Sequence, residues 1–276
     1  MELARTNPAP ANRPPESTRG RDLSRRTVLA GAAAVPLIVA GGGVSAAAAW
    51  RLRWSPQASD QGLDAFENVE DDRAGSHPGV EHITVRGSDY RFDMHTRDRD
   101  TSTDRQRNEV AGMRSDGGNV VLREGETWRF TYSMFIPSSL KATTTFTHVM
   151  QTKMPGLGSL PVTVMSLRRT GGTQRIEFKV VEGNVLVGAT DLAPLHNRWL
   201  DTEVEIKIGD GTAGRVRWIL RNDGKTVLDQ AKSGVDTWLG DRLRPKWGIY
   251  RSLGDTSGAL QNCYLLLRNL KAYKFE

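Results

Sequence analysis

The sequence predicts an all-β fold, a sandwich of two antiparallel sheets. Three observations lead there. From about Glu81 onward, apolar and polar residues alternate with a period of two. Roughly a dozen such stretches follow one another, with turn signals about every 10–15 residues. No convincing amphipathic helix and no internal repeat interrupts them.

Taken in order, residues 1–49 read as a cleaved export signal. A Pro-rich polar stretch precedes a twin arginine, Arg25 and Arg26. An apolar Gly/Ala-rich run follows from Val28 to Val44, and small residues offer a cleavage site around Ala46 to Ala49. Pro36 and the glycines weaken the run as a permanent anchor. The expected product is secreted or periplasmic, exported by the twin-arginine route, with no stable membrane anchor. Residues 50–80 read as a linker and loop-rich approach, and 81–276 as one domain. Strands are expected at Ile83–Val85, Tyr90–Thr96, Trp128–Ile136, Pro161–Leu167, Val185–Thr190, Trp247–Arg251 and Tyr264–Phe275.

The alternation is plainest in three stretches. "QRIEFKVVEG" sets Ile176, Phe178 and Val180 against Arg175, Glu177 and Lys179. "TEVEIKIGDG" sets Val204, Ile206 and Ile208 against Glu203, Glu205 and Lys207. "GRVRWILRNDGKTVLD" alternates likewise, then turns at Asn222-Asp223-Gly224, a hairpin signal. Such half-buried strands belong to antiparallel sheets.

Residues 1–49 hold six Lys+Arg and three Asp+Glu. The remainder therefore carries 32 basic and 29 acidic residues, a net of +3 against +6 for the whole chain. That charge alone does not make a nucleic-acid binder, but it suits a polyanion if concentrated in one groove. The single cysteine, Cys263, permits no internal disulfide. No G-x-S-x-G elbow, H-E-x-x-H pair, phosphate-binding glycine loop or Cys/His metal spacing occurs, so no metal or cofactor is expected.

Four stretches carry candidate chemistry. In "YRFDMHTRDRD", Arg91, Asp93, His95 and Arg97 share a face opposite Tyr90, Phe92 and Met94. In "DRQRNEV", Arg105, Arg107 and Glu109 share one face, Gln106 and Asn108 the other. An Arg held by a nearby Glu keeps a guanidinium edge for a carboxylate. In "TFTHVMQTKM", strict alternation puts Gln151 and Lys153 on one face and His148 on the other, with the core; a bulge would swing His148 across. In "PKWGIYRS", Trp247 and Ile249 face the core, while Lys246, Gly248 and Tyr250 face away. Gly248 is expected to leave space there for a ligand. Each set also has a plain reading as solvated sheet face or hydrogen-bonded core.

"DRQRNEV", "GETWRFTYSMFIP", "FTHVMQTK" and "KWGIYRS", in that order, resemble the jelly-roll polysaccharide lyases of the glucuronan lyase, heparin lyase I and alginate lyase type. The resemblance runs from about Tyr90 to the C-terminus, and glucuronan lyase is the nearest type. It implies a concanavalin-like β-jelly-roll and β-elimination of a uronic-acid polymer. In that chemistry donors neutralise the substrate carboxylate, a base takes the C5 proton and an acid protonates the leaving oxygen. By resemblance Arg107 and Gln151 neutralise and Tyr250 is the acid and candidate base. His148 or His95 is the alternative base. Lys153, Arg91, Arg97, Asn108, Glu109, Lys246 and Arg251 are the expected substrate contacts. Alginate lyases of this fold carry Gln-x-His where this chain has Gln151-Thr152-Lys153. A structural calcium ion is compatible with the resemblance, but no ligand loop identifies one. The expected partner is an acidic polysaccharide, met by a monomer. The competing functions are a non-catalytic acidic-carbohydrate-binding module and a glycoside hydrolase with paired carboxylates.

Overall fold

The computed structural model describes residues 48–156 and 158–276. The export signal expected over 1–49 lies outside them, apart from Ala48 and Ala49. The strands begin with β1 (Trp50–Trp54), β2 (Asn68–Glu70), β3 (Ile83–Arg86), β4 (Asp89–Met94) and β5 (Arg105–Ala111). They continue with β6 (Arg114–Ser115), β7 (Gly118–Asn119), β8 (Thr127–Phe135), β9 (Thr147–Lys153), β10 (Pro161–Thr170) and β11 (Thr173–Val180). Then come β12 (Val185–Asp191), β13 (Trp199–Lys207), β14 (Gly214–Asn222), β15 (Lys225–Val235), β16 (Arg244–Ser252) and β17 (Cys263–Phe275).

Two large antiparallel sheets form the jelly-roll sandwich that the alternation predicts. The first runs β15-β14-β13-β8-β17-β4-β3, with β1 also paired to β17. The second runs β12-β11-β10-β9-β16-β5-β2. Their inner faces supply one core that includes Phe92, Phe130, Phe178, Trp218 and Trp247. The β14–β15 hairpin turns as expected: Asn222 pairs with Lys225, and Asp223 and Gly224 hold φ of 49° and 72°. Positive φ at both central residues is what a two-residue hairpin loop needs to match strand twist.

Residues 50–80 are not a spacer ahead of the sandwich. Trp50 to Trp54 pair with the last strand, and Trp54 stacks on Trp247 with ring centroids 5.7 Å apart. Asn68 to Glu70 pair with β5 at the edge of the second sheet. The stretch "WRLRW" itself alternates, so its apolar residues gain burial by joining the sheet.

Gly248 also departs from expectation. Its φ is 137°, and a Cβ there would run into the Asn108 carbonyl oxygen and lie 2.7 Å from Glu109 Cα and 3.0 Å from Phe92. The space it saves lies between strand and core, not in a ligand groove. Gly248→Ala combines a strained φ with a backbone clash and is expected to destabilise by about 1–3 kcal/mol or more. Thermal unfolding measures it, and an unchanged midpoint would contradict this packing.

Candidate active site

The three central strands of the second sheet, β9, β16 and β5, carry the chemistry. In register, Tyr250 on β16 is flanked by Arg107 on β5 and His148 on β9. Lys246 on β16 pairs with Gln151 on β9. The outer face of these strands forms the floor of a cavity of about 490 Å³, closed in part by Ser159, Leu160 and Pro161.

His148 reaches this row because β9 is irregular. Val149 and Met150 are consecutive and both buried in the core. The registers with β10 and β16 shift at this point. An extra inward residue reverses the alternation, so His148 and Gln151 both lie opposite the core. His148 Nδ1 is 2.7 Å from Ser166 Oγ, and its ring lies 4.8 Å from Phe146 and 5.7 Å from Tyr250. Burial, together with the Arg168 and Arg107 cations, pushes its pKa down to about 3, so the ring is neutral.

Tyr250 is held from two sides. Arg105 Nη1 donates to its hydroxyl at 2.7 Å, and the Arg107 guanidinium lies 3.8 Å from the ring centroid. Arg107 also donates from Nε to Asp100 at 2.9 Å, and from Nη1 to Glu70 at 3.2 Å and Glu109 at 3.0 Å. Beneath it, Lys246 Nζ lies 2.9 Å from both Glu70 and Glu109. Gln151 Nε2 donates to Glu109 at 2.6 Å. Burial works to raise the Glu109 carboxyl, but Lys246, Arg107 and the Gln151 hydrogen bond outweigh it and hold it below the usual range. Asp100 shows the same balance, burial being overcome by Arg73 and Arg107. Lys153 donates to the carbonyl and hydroxyl of Ser159. Burial, aided by Lys246 and Arg107, lowers it to about 8.

The cavity is strongly cationic. Arg73, Arg105, Arg107, Lys153, Arg244 and Lys246 line it, against Glu70 and Asp100. Glu109 lies beneath them. That excess attracts a polyanion more than the whole-chain charge implies.

Of the residues singled out in the sequence, Tyr250, Arg107, Gln151, His148, Lys153, Glu109 and Lys246 come together here. The others do not. Arg91 lies on β4 in the opposite sheet, hydrogen-bonded to Asp93 at 2.7 Å and stacked on Tyr264. Arg97 points out and donates to the Ser76 carbonyl. His95 is in a separate cluster with His77, His82 and Asp98, which removes it as the base. Asn108 is buried and bonds the Asp93 carbonyl at 2.8 Å. Arg251 is buried and donates to Gln106 at 2.6 Å and to the Gln261 carbonyl. Arg105, Arg73, Glu70 and Asp100 were not foreseen as site residues. Arg105 had a signal, since it shares the face of Arg107 two residues on. Glu70 had none, because only the pairing of β2 with β5 brings it opposite Glu109.

No protein-family model and no curated protein sequence matches the chain. Solved structures do. An endo-β-1,4-glucuronan lyase from the fungus Trichoderma reesei superposes with a TM-score of 0.50 at 15% identity, over 76% of this chain and 91% of that one. An alginate lyase solved with an alginate trisaccharide gives a TM-score of 0.50 at 14% identity, over 79% of this chain and 96% of that one. The chain thus has the jelly-roll fold of these polysaccharide lyases.

Proposed function

We propose that the protein is an exported polysaccharide lyase that cleaves a uronic-acid polymer by β-elimination, with a glucuronan-like polymer as the first candidate. The observation that carries this reading is the Tyr250 hydroxyl at a cationic cavity, bonded to Arg105 and flanked by Arg107 and the neutral His148.

Elimination needs the C5 proton, which is hardly acidic while the adjacent carboxylate keeps its full charge. Arg107 binds that carboxylate, its Nη2 making no hydrogen bond among the described residues. Gln151, tied to Glu109, holds the floor beside it. His148 takes the C5 proton, and the C–H electron pair becomes the C4–C5 double bond. The C4–O bond breaks, and Tyr250 gives its proton to the leaving oxygen. Cations depress the basicity of His148 in the empty cavity; a bound polyanion offsets them and restores it.

A glycoside hydrolase fits less well. Its acid needs a carboxyl held protonated, whereas Asp100 and Glu109 are both held ionised by paired cations. A simple binding module has no need of a tyrosine held by two arginines.

Lys153 gives the site a pH dependence. Its cation is present below about pH 8 and is lost as pH rises through that value. KM for the polymer is expected to rise about tenfold across this range, the scale of one charge-assisted hydrogen bond. In Lys153→Met the rise should vanish; a wild-type-like pH profile in that variant would remove Lys153 from the binding set.

The primary test mixes the purified protein separately with glucuronan, alginate, heparin and hyaluronan. The ultraviolet absorbance of the unsaturated uronate product is then followed. A rise on one polymer is the expected result. Retained binding to an acidic polymer without any rise would establish the binding module instead.

A further inference from the structure

Away from the cavity, three histidines converge on one buried carboxylate. His77 and His82 come from the segment between β2 and β3, and His95 and Asp98 from the loop between β4 and β5. One donor atom from each lies within 4.8 Å of all the others. His77 Nδ1 is 2.9 Å and His82 Nε2 3.3 Å from Asp98 Oδ1, His95 Nδ1 is 3.3 Å from Asp98 Oδ2, and His82 Nε2 is 3.4 Å from His77 Nδ1. Four ligands around zinc, at bond lengths of about 2.0–2.2 Å, stand about 3.3–3.5 Å apart. The cluster already has nearly that spacing.

Hydrogen bonding alone leaves the cluster unsatisfied. His82 is fully buried, and its Nδ1 faces Asp71 at 2.7 Å. Asp71 is itself fixed by the backbone N–H groups of His82 and Ile83. A proton on Nδ1 leaves the Nε2 lone pair aimed at the Asp98 oxygen, a repulsive arrangement unless a positive centre lies between them. His95 Nδ1 is buried with no hydrogen-bond partner. A carboxylate behind a ligating imidazole is the usual support that orients a metal-bound histidine.

We infer that His77, His82, His95 and Asp98 form a structural site for a divalent transition metal of the zinc class. Three imidazoles and one carboxylate suit zinc and its neighbours, whereas calcium takes oxygen donors. The absence of a metal motif in the sequence is no obstacle, since the ligands come from two segments joined by the fold. The metal braces the back of β5. Gln106, inward between Arg105 and Arg107, donates to the carbonyls of His95, Thr96 and Asp98. Asp100, two residues beyond Asp98, holds Arg107 in the cavity.

The test uses the full chain, purified without a polyhistidine tag. Elemental analysis is expected to find about one zinc-class ion per chain. Chelation should lower the melting midpoint. Zn²⁺ at a hundredfold excess over its Kd should raise it again by about 5–10 °C. Co²⁺ in its place should give the visible bands of a tetrahedral site. His77→Ala with His95→Ala removes the two ligands at the exposed edge of the cluster. This variant should melt with the chelated wild type and ignore Zn²⁺. A chain that retains no metal, and whose midpoint moves with neither Zn²⁺ nor Co²⁺, would show that protons alone hold the cluster and overturn the inference. So would Zn²⁺ binding unchanged in the double variant, or a response to Ca²⁺ alone.

Discussion

Tyr250→Phe is expected to lower the elimination rate by about 10²–10⁴-fold, the usual scale of a lost general acid. Fold and polymer binding should be kept. The variant retains the ring beneath the Arg107 guanidinium, and Arg105, released from the hydroxyl, still pairs with Asp104 at 2.7 Å. The readout is the initial rate of unsaturated product on whichever polymer the wild type cleaves, beside the melting midpoint of both proteins. An active Tyr250→Phe enzyme would take the proton donor away from Tyr250. His148→Ala separates the two proton roles: if His148 is the base it should lose activity on a similar scale, and if it keeps activity the tyrosine serves both steps.

Glu109→Gln is expected to be the most destabilising single change in the cavity floor. Glu109 is fully buried and is the shared partner of Lys246, Arg107 and Gln151. Neutralising it leaves two cations packed around one remaining carboxylate, Glu70, at close range. Breaking a buried ion pair from one side costs about 3–5 kcal/mol. For a domain of this size that is a fall of about 6–20 °C in the melting midpoint. Adding Lys246→Met to Glu109→Gln removes the stranded ammonium and should recover part of the loss, a coupling that a double-mutant cycle measures. A midpoint within a degree or two of wild type in the single variant would mean the floor is hydrated and the charges are not confined.

Much of the fold was legible because burial on one face imposes a two-residue rhythm. β11, β13 and β14 kept it, and each strand expected in those stretches formed. Site membership was harder to read. Alternation tells which side chains share a face, but not which sheet the strand joins. Arg91, His95 and Arg97 were therefore grouped with the groove although β4 pairs within the other sheet. Asn108 and Arg251 failed for a simpler reason: each has the parity of its inward neighbours, Gln106 and Ile249, and the rhythm already argued against them. His148 lay beyond strict alternation, since one extra inward residue on β9 decides its face. Glu70 and Asp100 reach the cavity through tertiary pairing, for which no local pattern exists.

The first and last strands meet. Trp50 pairs with Phe275, the backbone of Ala49 bonds that of Glu276, and β17 lies between β8 and β4 inside its sheet. During synthesis, β4 and β8 have no central neighbour until Phe275 has left the ribosome. Until then the apolar faces of both strands stay uncovered, and the closing contact spans more than two hundred residues of chain. Such long-range closure makes folding slow and exposes the half-built sheet to aggregation. The vulnerable moment in the life of this protein is thus the interval just before its last strand is released.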